Sequence, residues 1–171
     1  LLDTSGSMQG DKASKAYQAM YSIKKALDKI NANTSVITFN DSARILYRAD
    51  EKAKNVIRDA GAGGGTEVNY AVKYATKLLA ESTKPVKIFF AITDGEWFGN
   101  LEEPHFQIEQ MNRAGVLTAF AYIPYGSEQL TMTSEFKHGC EIGAVVNNPL
   151  DLIGMAKNIV KHAVQRRLVN N

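Results

Sequence analysis

The chain has 171 residues, 44% apolar and 22% charged, the balance of a globular domain long enough to bury a core. Its 20 basic and 18 acidic residues leave a net charge of +2, which gives no electrostatic case for nucleic acid, a partner met by concentrated basic patches. Cys140 is the single cysteine; it excludes an intrachain disulfide and a thiolate metal site and points to a reducing compartment or a disulfide-free fold.

Leu1-Leu2 reads as the end of a buried strand whose beginning lies upstream, so the lack of a leader sequence carries no weight. It runs into Asp3-Thr4-Ser5-Gly6-Ser7. Ala13, Ala16, Met20, Ile23, Leu27 and Ile30 then recur at helical spacing, with Asp11 as the expected cap and Lys12, Lys15, Lys24 and Lys29 largely outside. Thr34 to Phe39 is a β-branched strand. After the Asn40-Asp41-Ser42 turn, Ala43 to Tyr47 returns as an antiparallel edge strand. Lys52 to Arg58 is a short helix candidate, closed by the glycine run from Gly61. Val68, Ala71, Val72, Ala75, Leu78 and Leu79 mark a second good helix, followed by Pro85.

Val86 to Thr93 is nearly continuously apolar, as expected of a central parallel strand covered on both faces. Leu101 to Arg113 fits a helix with Pro104 in its first turn, stopped by Gly115. Val116 to Ile123 is the next strand. A short helix is expected within 127–137, a short strand over Ile142 to Val146, and a final helix over Leu150 to Leu168. The basic residues Lys161, Arg166 and Arg167 lie in that last helix, where cations are ordinary. No apolar run nears the roughly 20 residues of a membrane span. Strands and helices alternate without linker or repeat. The expectation is therefore one α/β domain over residues 1–171: a doubly wound, mostly parallel sheet with helices on both faces.

Ligands in such sheets bind beyond the carboxyl ends of the strands, and two carboxylates are placed there. Asp3 follows the first strand and Asp94, in Ile92-Thr93-Asp94-Gly95, follows the most apolar one. Asp3, Ser5 and Ser7 alternate along an extended loop and can face one point, with Gly6 allowing a tight turn. Thr66 follows Gly63-Gly64-Gly65, a run expected to be pliable. Together these residues offer two carboxylates and three hydroxyls, with no histidine or cysteine. That is a donor set for a hard divalent cation, Mg²⁺ first, with Mn²⁺ or Ca²⁺ as substitutes. Taken singly, each loop also has an ordinary reading as cap, turn or helix stop. Their joint occurrence in compatible elements favours the metal.

The pattern resembles the von Willebrand factor A domain family and its metal-ion-dependent adhesion site. That site has Asp-x-Ser-x-Ser after the first strand, a threonine in a later glycine-containing loop, and an aspartate ending the fourth strand. Asp3, Ser5, Ser7, Thr66 and Asp94 match it, and the resemblance spans essentially the whole chain. It implies strand order 3-2-1-4-5-6 and a protein-binding, non-enzymatic module. It further implies direct contact of Ser5, Ser7 and sometimes Thr66 with the ion, and water-mediated roles for Asp3 and Asp94. A sixth position would be open to a partner's Asp or Glu. The start Leu1-Leu2-Asp3-Thr4-Ser5-Gly6-Ser7-Met8 with one cysteine looks closer to cytoplasmic or viral members than to disulfide-bearing secreted ones. In some relatives the last helix shifts with the metal shell.

Other readings have less support. Metal-assisted phosphoryl transfer would use Asp3 and Asp94, but position 5 is a serine where a second aspartate would sit, and no lysine or arginine lies inside the three loops. Gly61 to Thr66 follows a helix and lacks the Lys-Ser/Thr pair of a phosphate-binding loop. A structural or assembly role with a non-essential site is the remaining alternative. His105, His138 and His162 do not converge in sequence and are expected to be ordinary residues, as is Cys140. Trp97 and Phe98, just after Asp94, have two readings. One of them plugs the core beneath the loop, or they form an apolar rim for the partner.

Overall fold

The computed structural model describes residues 1–53, 62–94, 97, 101–124 and 138–169. Among these, one six-stranded sheet runs in the order β3-β2-β1-β4-β5-β6. The strands are β1 (Leu2–Asp3), β2 (Val36–Phe39), β3 (Ala43–Tyr47), β4 (Ile88–Thr93), β5 (Leu117–Tyr122) and β6 (Ile142–Val145). Only the β2–β3 pairing is antiparallel, with a register irregularity between Val36 and Ile37. The helices are α1 (Asp11–Lys29), α2 (Asn69–Glu81), α3 (Glu102–Arg113) and α4 (Leu152–Val169). The expected fold is thus found, strand order included. The helix candidates over 52–58 and 127–137 fall mostly or wholly outside the described residues.

The period of two along the central strands divides the core between the two faces. Phe89 and Ala91 of β4 and Phe120 and Tyr122 of β5 pack with Val68, Val72, Ile108 and Met111, so α2 and α3 cover that face. Ile92 and Ala121 point the other way, with Leu2, onto Ala16, Tyr17 and Met20 of α1 and Leu152 at the start of α4. Leu117 and Ala119 meet Ile159 and Ala163 farther along α4. Two covered faces explain why β4 and β5 read as unbroken apolar runs.

Two details of α1 differ from expectation. Gly10, at φ 81°, is the N-cap, and Asp11 is the first helical residue, where its charge suits the positive end of the helix dipole. Lys24 is not outside: it is 1% exposed. Its ammonium sits 2.6 Å from Asp28 and 2.5 Å from the Glu51 carbonyl. Asp28 in turn accepts the Ala53 amide at 2.8 Å. These bonds tie the 48–53 segment to the end of α1.

Register fixes the functional edge. Leu2 lies opposite Ile92 and Asp3 opposite Phe39. The chain therefore leaves β1 and β4 at the same level, and Asp3 and Asp94 emerge at one end of the sheet.

Candidate metal centre

Asp3 is fully buried at the end of β1. One carboxylate oxygen accepts the Ser5 amide at 2.8 Å and the other accepts the Thr93 hydroxyl. Burial pushes this carboxyl above its usual range, and the bonds from Thr93 and Ser5 pull against that. The chain then makes a single 3₁₀ turn over Gly6–Met8. Met8, fully buried, anchors the turn, and Ser7 faces Asp94 with Ser5 beside it.

The Ser5 and Ser7 hydroxyl oxygens are 3.1 Å apart. Ser7 donates its hydroxyl proton to Asp94 Oδ1 at 2.9 Å. These contacts test the fit to a hard cation. Both are hydrogen-bond separations, and they bring three oxygen donors together, the kind of ligand a hard divalent ion takes. A serine that donates its proton to a carboxylate also keeps its lone pairs free for an ion. Ser5, Ser7 and Asp94 fit the group in donor chemistry.

The glycine loop is pinned, not pliable. Gly64 carbonyl accepts the Gly6 amide at 3.0 Å, and the Gly63 amide bonds the Thr4 carbonyl at 2.9 Å. Asn40 Nδ2 holds the Gly63 carbonyl at 3.0 Å, and Asp41 accepts the Gly65 amide at 2.7 Å. Gly64 has φ +79°, and a Cβ there would lie 2.1 Å from Asp41 Oδ2, so the position requires glycine. This stitching joins Thr66, 4% exposed, to the Asp3–Ser7 loop through backbone bonds.

Sequence reasoning missed one residue. No cation lies inside the three loops, but Lys12, expected to lie outside, reaches in from α1. Its ammonium is 2.6 Å from Asp94 Oδ2, with the two side chains 18% and 5% exposed. The available signal was a lysine in the first turn of a helix, where the dipole disfavours positive charge.

Trp97 belongs to the core. It is 4% exposed, stacks on His138 at 4.1 Å between centroids, and meets Phe39 and Phe120 edge-on. The plug reading therefore describes Trp97, and an apolar rim would rest on Phe98, which lies outside the described residues. Two histidines meet across the fold as hydrogen-bonded residues. His105 Nε2 and His138 Nδ1, 33 positions apart in sequence, are 3.2 Å apart, and His138 is buried with φ 46°. Burial lowers the pKa of His105. Cys140 is buried and its thiol is pushed up to about 12, which keeps it protonated.

Among the described residues, no three side chains drawn from His, Cys, Asp and Glu converge to hold a metal. Hydroxyls would make up most of the donor set at this edge. The family model of the von Willebrand factor type A domain matches residues 1–148. The chain belongs to that family. Domains of this family are generally interaction and adhesion modules that bind protein partners.

Solved structures with the same fold include proximal thread matrix protein 1 from the mussel byssus, with 20% identity and TM-score 0.68. The alignment covers 95% of this chain and 44% of that one. A von Willebrand factor type A protein from Catenulispora acidiphila gives 18% identity and TM-score 0.68, over 95% of this chain and 41% of that one. Manganese-loaded TRAP protein from Plasmodium vivax gives 14% identity and TM-score 0.58, over 95% and 71%. The chain thus spans less than half the length of the first two. No curated protein sequence matches it. Among the described residues, no helix is long and apolar enough to cross a membrane.

Proposed function

We propose that this domain binds another protein through a divalent cation, Mg²⁺ with Mn²⁺ or Ca²⁺ as substitutes, held by Asp3, Ser5, Ser7, Thr66 and Asp94. The observation that carries the reading is the Ser5–Ser7–Asp94 contact set. It brings Ser7 and Asp94, 87 positions apart, to 2.9 Å, with Ser5 3.1 Å from Ser7, an oxygen-only donor set of the kind a small hard ion takes. When bound, the ion supplies a concentrated positive charge that a partner's Asp or Glu completes.

The chain's own residues do the rest. Asp3, held by the Ser5 amide and the Thr93 hydroxyl, fixes the exit of β1 and brings negative charge under the hydroxyls. Ser7 positions Asp94 through the proton it donates. The pinned glycine loop brings Thr66 in at low ordering cost, because its backbone is already bonded to Thr4 and Gly6.

Phosphoryl transfer gains a cation in Lys12 but lacks a nucleophile. Asp3 is fully buried, and among the described residues the Ser5 and Ser7 hydroxyls bond each other and Ser7 bonds Asp94, with no histidine beside them to activate them. The protein-binding reading is therefore the better supported.

The test is affinity capture from native extract with Mg²⁺ and with EDTA, repeated with Asp94→Ala, alongside calorimetry of Mn²⁺ binding. The expected result is a protein retained only by the Mg²⁺-loaded wild type, and Mn²⁺ binding lost in Asp94→Ala. Equal retention in every condition would favour a structural role. Unchanged Mn²⁺ binding in Asp94→Ala and Ser7→Ala would rule out this site.

A further inference from the structure

Lys12 is the feature that the donor set alone does not explain. A cation in the first turn of α1 opposes the helix dipole, and here it is also largely withdrawn from water. The ammonium stands 2.6 Å from Asp94 Oδ2, and the carboxylate side chain is only 5% exposed. Such a pair is weakly screened by salt, unlike an exposed surface bridge. The two oxygens of Asp94 are divided, Oδ1 to the Ser7 hydroxyl and Oδ2 to Lys12. The aspartate that would help hold a divalent ion thus already has its charge balanced by a residue of the same chain.

The consequence follows from counting charge among these groups. Asp3 and Asp94 together would neutralise a divalent ion, leaving no electrostatic demand for a further anion. Lys12 adds one unit of positive charge beside the same loaded centre. One carboxylate from outside offsets that unit. The geometry points to Lys12 as a resident counter-cation that sets the centre's ligand preference. We propose that it weakens the hold on a divalent ion alone and, once that ion is bound, strengthens the hold on an anionic ligand.

This inference rests on the metal reading above, and its test separates the two. Mn²⁺ binding is measured by the electron paramagnetic resonance signal of the free ion, without and with acetate as the carboxylate probe. Wild type, Lys12→Met, Lys12→Gln, Lys12→Arg and Asp94→Ala are compared, each checked for folding by circular dichroism and thermal melting. Removing the charge should tighten Mn²⁺ binding in the absence of acetate by about tenfold, the scale of 1.4 kcal/mol. Acetate should tighten Mn²⁺ binding in wild type and Lys12→Arg, and have little effect in Lys12→Met and Lys12→Gln. Folded Met and Gln variants that bind Mn²⁺ no more tightly than wild type would overturn the proposal. So would an equal acetate effect in all Lys12 variants. Wild type that binds no Mn²⁺ would overturn the metal reading itself, and Asp94→Ala fixes that null level.

Discussion

Trp97→Ala decides whether the segment after Asp94 is a core plug or a partner rim. The indole is 4% exposed and is enclosed by His138, Phe39 and Phe120. Truncating a core tryptophan costs about 3–5 kcal/mol. Its indole N–H has no hydrogen-bond partner among the described residues, so removing it returns about 1–2 kcal/mol of desolvation. At the midpoints of those ranges the net loss is about 2.5 kcal/mol. In a chain of this length each kcal/mol lowers the melting temperature by roughly 2–4 °C, so a fall of about 5–10 °C is expected by circular dichroism. Trp97→Phe keeps a ring against His138 and lacks the unpaired N–H, so it should lose less than about 1 kcal/mol. A melting temperature for Trp97→Ala within about 2 °C of wild type would refute the core assignment.

Gly64→Ala should cost about 2–3 kcal/mol in thermal melts, because the backbone there is left-handed and the new Cβ would displace Asp41 from the Gly65 amide. It should also weaken Mn²⁺ binding by misplacing Thr66; unchanged melting and Mn²⁺ titration curves would contradict the pinned loop. Lys24→Met should lose about 3 kcal/mol by urea unfolding, since it strips the ammonium from both Asp28 and the Glu51 carbonyl. Desolvation alone would raise the Asp28 carboxyl, but the Lys24 and Ala53 hydrogen bonds and the charges of Lys24 and Lys52 bring it below 3.8. A depressed folded-state value means that the unfolded chain takes up the proton first. This stabilisation is therefore complete above 3.8 and is lost as pH falls through the folded value. Asp28→Asn should flatten that acid limb of the stability profile, and an unchanged limb would remove Asp28 as its source.

Much of the architecture was legible because it rests on periodicity. The unbroken apolar run ending at Thr93 marks a strand with helices on both sides, and the observed packing of Phe89 and Ile92 on opposite faces is the cause. Gly115 stops α3 as read, with φ +80° and the Val116 amide bonded 3.0 Å from the Met111 carbonyl. Lys24 was misread, though its position carried the signal. It lies four residues after Met20 and three before Leu27, inside the apolar stripe, and only its charge argued for the surface. A long side chain can bury its stem and still reach a carboxylate, as it does at Asp28.

The site divides along the same line. The oxygen donors were legible because metal chemistry demands particular residue types, and the strand ends say which edge they share. What joins them was not legible, because backbone bonds carry no residue signature. The Gly6 to Gly64 and Gly63 to Thr4 pairs use main-chain atoms alone. A glycine run signals left-handed or close-packed backbone as readily as freedom, and Gly64 against Asp41 is the close-packed case. The His105–His138 contact likewise spans 33 positions with no shared motif. Lys12 falls between these extremes. Its charge was visible, and its place in the first turn of α1 was the anomaly, since a cation there opposes the helix dipole. Such a residue calls for an anion near the helix start, and Asp94 leaves the sheet at that edge. A charge set against its own helix is thus a sequence-level pointer to a tertiary partner.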